Sequence, residues 1–136
     1  MNAIIRFLPL MGRILITSIF LMSGFGKITD WSGTAGYMAS KGMPMVPLFL
    51  TGAILFELGG GLSVLLGFKT GTGALVLAVF LIPATLIFHN FWTLDGMEQQ
   101  MQMAMFMKNF SILGGLLLLT AFGPGPISID NRQKGV

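Results

Sequence analysis

Polar residues along this chain are gathered into short breaks between four long apolar stretches, at about residues 7–26, 46–67, 70–91 and 102–122. Each stretch is near the roughly 20 residues that a helix needs to cross a hydrocarbon core about 30 Å thick. The breaks carry turn chemistry: Gly42-Met43-Pro44 before the second stretch, Gly67-Phe68-Lys69-Thr70-Gly71 before the third, and Gly123-Pro124-Gly125-Pro126 after the fourth. The link around Lys69 is short, so the second and third helices are expected to be antiparallel neighbours. In the first loop, Asp30 or Ser32 is placed to cap a short amphipathic helix through Tyr37, Met38 and Lys41, ended by Gly42. That helix is expected on the membrane surface. The pattern predicts an all-α fold: one domain over residues 1–136, an antiparallel bundle of four transmembrane helices.

Composition supports a lipid solvent. Of the 136 residues, 54% are hydrophobic and 10% charged, against roughly 25% charged in an ordinary globular domain. A chain of this length cannot hide so much apolar surface in its own core. Arg6 and Arg13 ahead of an apolar run suggest a signal peptide, but the Ser23-Gly24-Phe25-Gly26-Lys27 that follows is a poor cleavage site, and the segment reads as a retained helix. There are no cysteines, which excludes a dithiol centre or thiolate metal site. The net charge of +3 includes no basic run, so a nucleic-acid partner is not expected.

Four spans put both termini and the Lys69 turn on one side, with Arg6, Lys69, Arg132 and Lys134, and with Arg13 just inside. The other side carries Lys27, Lys41, Asp30, Asp95 and Glu98, and also Trp31, Trp92 and Tyr37, as in an interfacial aromatic belt. The excess of Lys and Arg in the first set predicts that both termini are cytoplasmic.

Within the spans, Glu57 stands out as a carboxylate near the midpoint of an apolar helix. An ionised group there costs about 2.5–3.5 kcal/mol on insertion scales and is expected to face the bundle interior with a partner. On the first helix, Arg13, Thr17, Phe20, Gly24 and Lys27 recur at spacings of three and four and share a face. Lys108 shares a face with Ala104, Ser111 and Gly115, beside Asn109; Thr85 and His89 lie four apart after Pro83. Counting residues for depth makes Lys108 the favoured partner of Glu57, with Arg13 the alternative. Arg13, Lys27, Glu57, Thr85, His89, Lys108 and Asn109 are thus the candidate buried polar core or ligand-binding residues. Two readings stay open: a purely internal ion pair that fixes packing, or a pocket opening outward that binds a small polar or quinone-like ligand or passes protons.

Other features weigh less. Gly59, Ser63 and Gly67 form a small-residue ridge, expected to pack internally. Met97, Met101, Met103, Met105 and Met107 near His89 read as adaptable apolar residues rather than a copper site, and no metal site is expected. Gly59-Gly60-Gly61 lies inside an apolar helix and is not a phosphate loop. No nucleophile–base pair is visible, so catalysis has no self-contained motif.

Taken in order, these residues resemble the DoxX family of small four-helix membrane proteins. The resemblance runs through Gly12-Arg13-Ile14-Leu15, Ser23-Gly24-Phe25-Gly26-Lys27, Gly33-Thr34-Ala35-Gly36-Tyr37-Met38, Lys41-Gly42-Met43-Pro44 and Phe56-Glu57-Leu58-Gly59-Gly60-Gly61. It continues through Ala84-Thr85-Leu86-Ile87-Phe88-His89-Asn90-Phe91-Trp92, Phe106-Met107-Lys108-Asn109 and Gly123-Pro124-Gly125-Pro126-Ile127-Ser128. It implies a multi-pass protein of the bacterial inner membrane. Some relatives resemble subunits of quinol-oxidising or thiosulfate–quinone systems, some are tied to assemblies that manage oxidative stress, and eukaryotic ones include chaperone-like factors. The expected function is a component of a redox or oxidative-stress assembly, with a non-catalytic scaffold or assembly factor as the alternative. No cofactor is intrinsic to the chain; a quinone is the candidate ligand, and the candidate partners are the lipid bilayer, a redox protein and a second copy of the chain.

Overall fold

The computed structural model describes residues 2–133; Lys134, counted above toward orientation, lies outside the described residues. Four long helices carry the fold: α1 (Ala3–Thr29), α3 (Val46–Leu66), α4 (Thr70–Phe88) and α5 (Gly96–Phe122). Two short ones complete it, α2 (Trp31–Ser40) and α6 (Ile129–Gln133), with a single 3₁₀ turn at Phe91–Thr93. All four long helices are apolar and long enough to cross a membrane. The protein is an integral membrane bundle whose successive long helices are antiparallel.

The helix limits differ from the expected spans in three places. α1 extends beyond residues 7–26 at both ends. α4 stops at Phe88, with His89 as its cap. α5 starts at Gly96, well before residue 102, because Glu98 and the glutamines that follow are good helix formers that need not lie in lipid. Asp30 is the cap of α2, its Oδ1 accepting from Gly33 N at 3.2 Å.

α1 packs on α3, α3 on α4 and α4 on α5, whereas α1 and α5 meet sparsely. Close approach of α3 and α4 depends on small residues. A Cβ on Gly60 would meet Leu77 Cγ at 2.8 Å and Gly73 O at 3.2 Å, while Gly73 sits against Ser63. The expected ridge is therefore shifted: Gly59 is exposed with open space beside it, and Gly60 takes its place.

The apolar core of Phe20, Val64, Ala74, Leu77, Ala78, Leu81 and Leu116 fills the half of the bundle nearest the termini. That half is also closed by polar stitches. The 1% exposed Arg13 sends Nη1 to Val64 O (3.2 Å) and Leu65 O (3.0 Å), and Nη2 to Ile127 O. Val64 O and Leu65 O belong to the last turn of α3, where the negative end of the helix favours a cation; Val64 O also accepts from the capping Gly67 N at 3.2 Å. Next door, Lys69 (φ 48°) leaves α4 without a side-chain cap of its own. Asp130 supplies one from the chain's other end, accepting from Lys69 N (2.7 Å), Thr70 N (2.9 Å) and Thr70 Oγ1 (2.8 Å). The Gly123-Pro124-Gly125-Pro126 run thus ends α5 as expected, and it also turns the chain back across the bundle. This is the closed end; the opposite one, with α2 and the α4–α5 link, is the open end.

Candidate functional site

In the open half the helices diverge around a cleft of about 1140 Å³. Its walls come from α1, α3, α4 and α5. α2 forms the roof, with Tyr37 stacked on Phe88 at 5.6 Å between ring centroids and Met38 buried beneath. Apolar side chains make up most of the lining. Among them sits the one ion pair found among the described residues.

That pair joins Lys27 to Glu57. Lys27 Nζ donates to Glu57 Oε1 at 3.0 Å, to Oε2 at 3.1 Å and to Ser23 Oγ at 2.6 Å, and Ser23 Oγ in turn donates to Oε1 at 3.3 Å. The Glu57 side chain is 4% exposed and that of Lys27 21%, so the carboxylate is enclosed while the ammonium stands toward the cleft. Neither expected partner of Glu57 holds it. Arg13 is committed to the closed end, and Lys108 is exposed on α5 with no ion pair among the described residues.

Helix direction explains the difference. Every Cα–Cβ bond tilts toward its helix N-terminus. On α1 that tilt carries the Lys27 side chain inward by about a turn, and on α3 it carries Glu57 outward, so the two lean together. On α5 the same tilt carries Lys108 outward, toward the open end. Residue counts locate backbones; a long side chain ends a turn away.

The remaining candidates form two separate clasps between α4 and the α5 side. Thr85, 4% exposed, donates to Leu81 O at 2.7 Å and accepts from Asn109 Nδ2 at 3.0 Å. His89 Nδ1 meets Gln102 Oε1 at 2.8 Å. An amide oxygen only accepts, so Nδ1 donates in this contact, and Nε2 accepts in the tautomer that carries its one proton on Nδ1. His89 and Asn109 both line the cleft. Ser23 and Gln102 were not singled out from the sequence. Ser23 was findable, standing one turn before Lys27 on the same face.

Among the described residues no group of three or more His, Cys, Asp or Glu could hold a metal ion. What the geometry offers is a largely apolar cleft with an ion pair on one wall and the hydrogen-bonding groups of His89 and Asn109 on another.

A four-span membrane bundle with a largely apolar cleft in one half is thus the class defined by fold and site. The chain belongs to the DoxX family, whose profile matches residues 8–90; the SURF4 family profile also matches, over residues 52–136. It is similar to Inner membrane protein YqjF of Escherichia coli K12, 44% identical over 89% of this chain and 88% of that protein. It is also similar to Inner membrane protein YphA of the same organism, 38% identical over 92% of this chain and 89% of that protein. The ER-derived vesicles protein ERV29 of Saccharomyces cerevisiae is 29% identical over 90% of this chain, which corresponds to 33% of the yeast protein. No solved structure matches the chain.

Proposed function

We propose that the protein is an inner-membrane component of a redox or oxidative-stress assembly and that its cleft receives a quinone. The observation that carries this reading is the Lys27–Glu57 pair in the wall of an otherwise apolar cleft. A quinone has a flat ring with polar oxygens and an apolar tail, and ligand sites of this kind are mostly apolar with a few placed polar groups. Asn109 has a second amide proton to give to a ring oxygen, and His89 Nε2 is an acceptor for the hydroxyl of the reduced form. The redox-active group in such an assembly is the quinone or a partner enzyme. The inner-membrane location rests on the similarity to YqjF and YphA.

A second reading, a non-catalytic scaffold or assembly factor, is favoured by α5, of whose residues only Leu116 is buried, leaving a long face for a partner. Purification from native membranes, followed by mass spectrometry of small molecules and proteins, separates the two. A retained quinone that is lost in Lys27→Met supports the first reading; stable protein partners with no bound quinone overturn it in favour of the second.

We also propose that the closed end faces the cytoplasm, a reading supported by the excess of Lys and Arg there. Cysteines placed at Lys69 and Glu98 test it: only the Glu98 position should react with an impermeant reagent added from outside the cytoplasm.

A further inference from the structure

α1 and α5 touch near the closed end, where a Cβ on Gly115 would meet Ile16 Cδ1 at 2.7 Å. Seven residues toward the open end from each contact stand Ser23 on α1 and Lys108 on α5. Seven residues are close to two helical turns, so both keep the facing of the contact below them. The helices run antiparallel, so Ser23 and Lys108 are level across the seam. Ile19 and Ser23 line the cleft on one side of the seam, and Asn109 and Ile112 on the other. The cleft therefore reaches the sparsely packed α1–α5 seam, and Lys108 stands beside that seam.

The charges around this seam do not balance. The cleft is lined by Lys27, Lys41 and Glu57, of which Lys27 and Glu57 are paired, and Lys108 adds a second uncompensated cation. A second copy of the chain offers no acid at this depth. Asp30, Asp95 and Glu98 lie at the open end beyond the spans, Asp130 lies at the closed end, and Glu57 is held by Lys27.

We propose that the cleft, read above as a ligand site, admits its occupant laterally between α1 and α5, and that Lys108 selects membrane amphiphiles with an acidic head, carboxylate or phosphate. This rests on the cleft being a ligand site but not on that ligand being a quinone. The apolar chain lies in the cleft, and the acidic head meets the Lys108 ammonium, which leans toward the open end.

The test uses the full chain in phosphatidylcholine nanodiscs, titrated with dodecanoate, dodecanol and a short-chain ubiquinone analogue, with binding read from tryptophan fluorescence. Dodecanoate is expected to bind about tenfold more tightly than dodecanol. Lys108→Gln should bring the two to parity while leaving the ubiquinone analogue unaffected, and Lys108→Arg should keep the preference. Phosphatidylglycerol added to the nanodisc tells a phospholipid source from a free acid: it competes with dodecanoate in the first case and not in the second, and either result supports an acidic head. No acid preference in the wild type, or an undiminished one in Lys108→Gln, overturns the proposal while leaving the cleft reading intact if the ubiquinone analogue binds. Binding of none of the probes removes both. Photocrosslinking from position 108 that captures an acidic transmembrane helix, without any acid preference, overturns it in favour of a protein partner.

Discussion

Lys27 holds both carboxylate oxygens of Glu57, at 3.0 and 3.1 Å, across the α1–α3 contact, and Ser23 one turn below holds the ammonium in place. Removing one member leaves the other unpaired in an apolar setting. Glu57→Leu and Lys27→Met are each expected to destabilise the bundle by about 3–5 kcal/mol, whereas the double substitution should recover much of the loss. Lys108→Met combined with Glu57→Leu should recover nothing. Thermal melting in detergent of these four variants checks the assignment; rescue by the Lys108 substitution would reassign the partner.

Arg13 ties three carbonyls from two segments to α1. Hydrogen bonds to a charged group contribute about 1.5–3 kcal/mol each, so Arg13→Met should rank among the most damaging single changes. Arg13→Lys should restore only part of the loss, because an ammonium lacks the planar fork that spans Leu65 O and Ile127 O together. A cysteine at Ile127 should label faster in Arg13→Met than in the parent.

Asp130→Ala removes the borrowed cap of α4. Loss of a capping side chain costs about 0.5–2 kcal/mol, and the effect should be local. Hydrogen exchange at the amides of Lys69 and Thr70 is expected to accelerate, with the centre of α4 unchanged. Uniform acceleration along α4 would mean that Asp130 supports the whole helix rather than its first turn.

The α3–α4 contact gives a paired test. Gly73→Val places a branched side chain against Ser63 and Gly60 O and should cost about 1–3 kcal/mol by forcing the helices apart. Gly59→Ala meets no atom within 4 Å and should be neutral or stabilising by up to about 1 kcal/mol through helix propensity. Equal melting temperatures for the two variants would contradict the packing described here.

The four spans were readable because membrane helices announce themselves by length and hydropathy, and the interior face of α1 was readable from the spacing of Arg13, Thr17, Phe20 and Gly24, all four buried. Glu57 was conspicuous as a lone charge in an apolar run. Its partner was not, because counting residues gives the depth of a backbone atom and ignores the turn of reach by which Lys27 comes inward and Lys108 goes outward. The return of the C-terminal segment was hidden for a different reason. Gly123-Pro124-Gly125-Pro126 announces a stop equally well whether the chain leaves the bundle or folds back on it, and the missing side-chain cap at Lys69 shows only in the structure.

The borrowed cap has a consequence for biosynthesis. Thr70 and Asp130 are separated by 60 residues, so at about 5–20 residues per second the ribosome needs roughly 3–12 s to deliver the carboxylate after the start of α4 has been made. Throughout that interval the nascent bundle has bare amides at the start of α4. Until Asp130 arrives, water alone caps the first turn of α4, so that turn frays more readily in the growing chain than in the folded one.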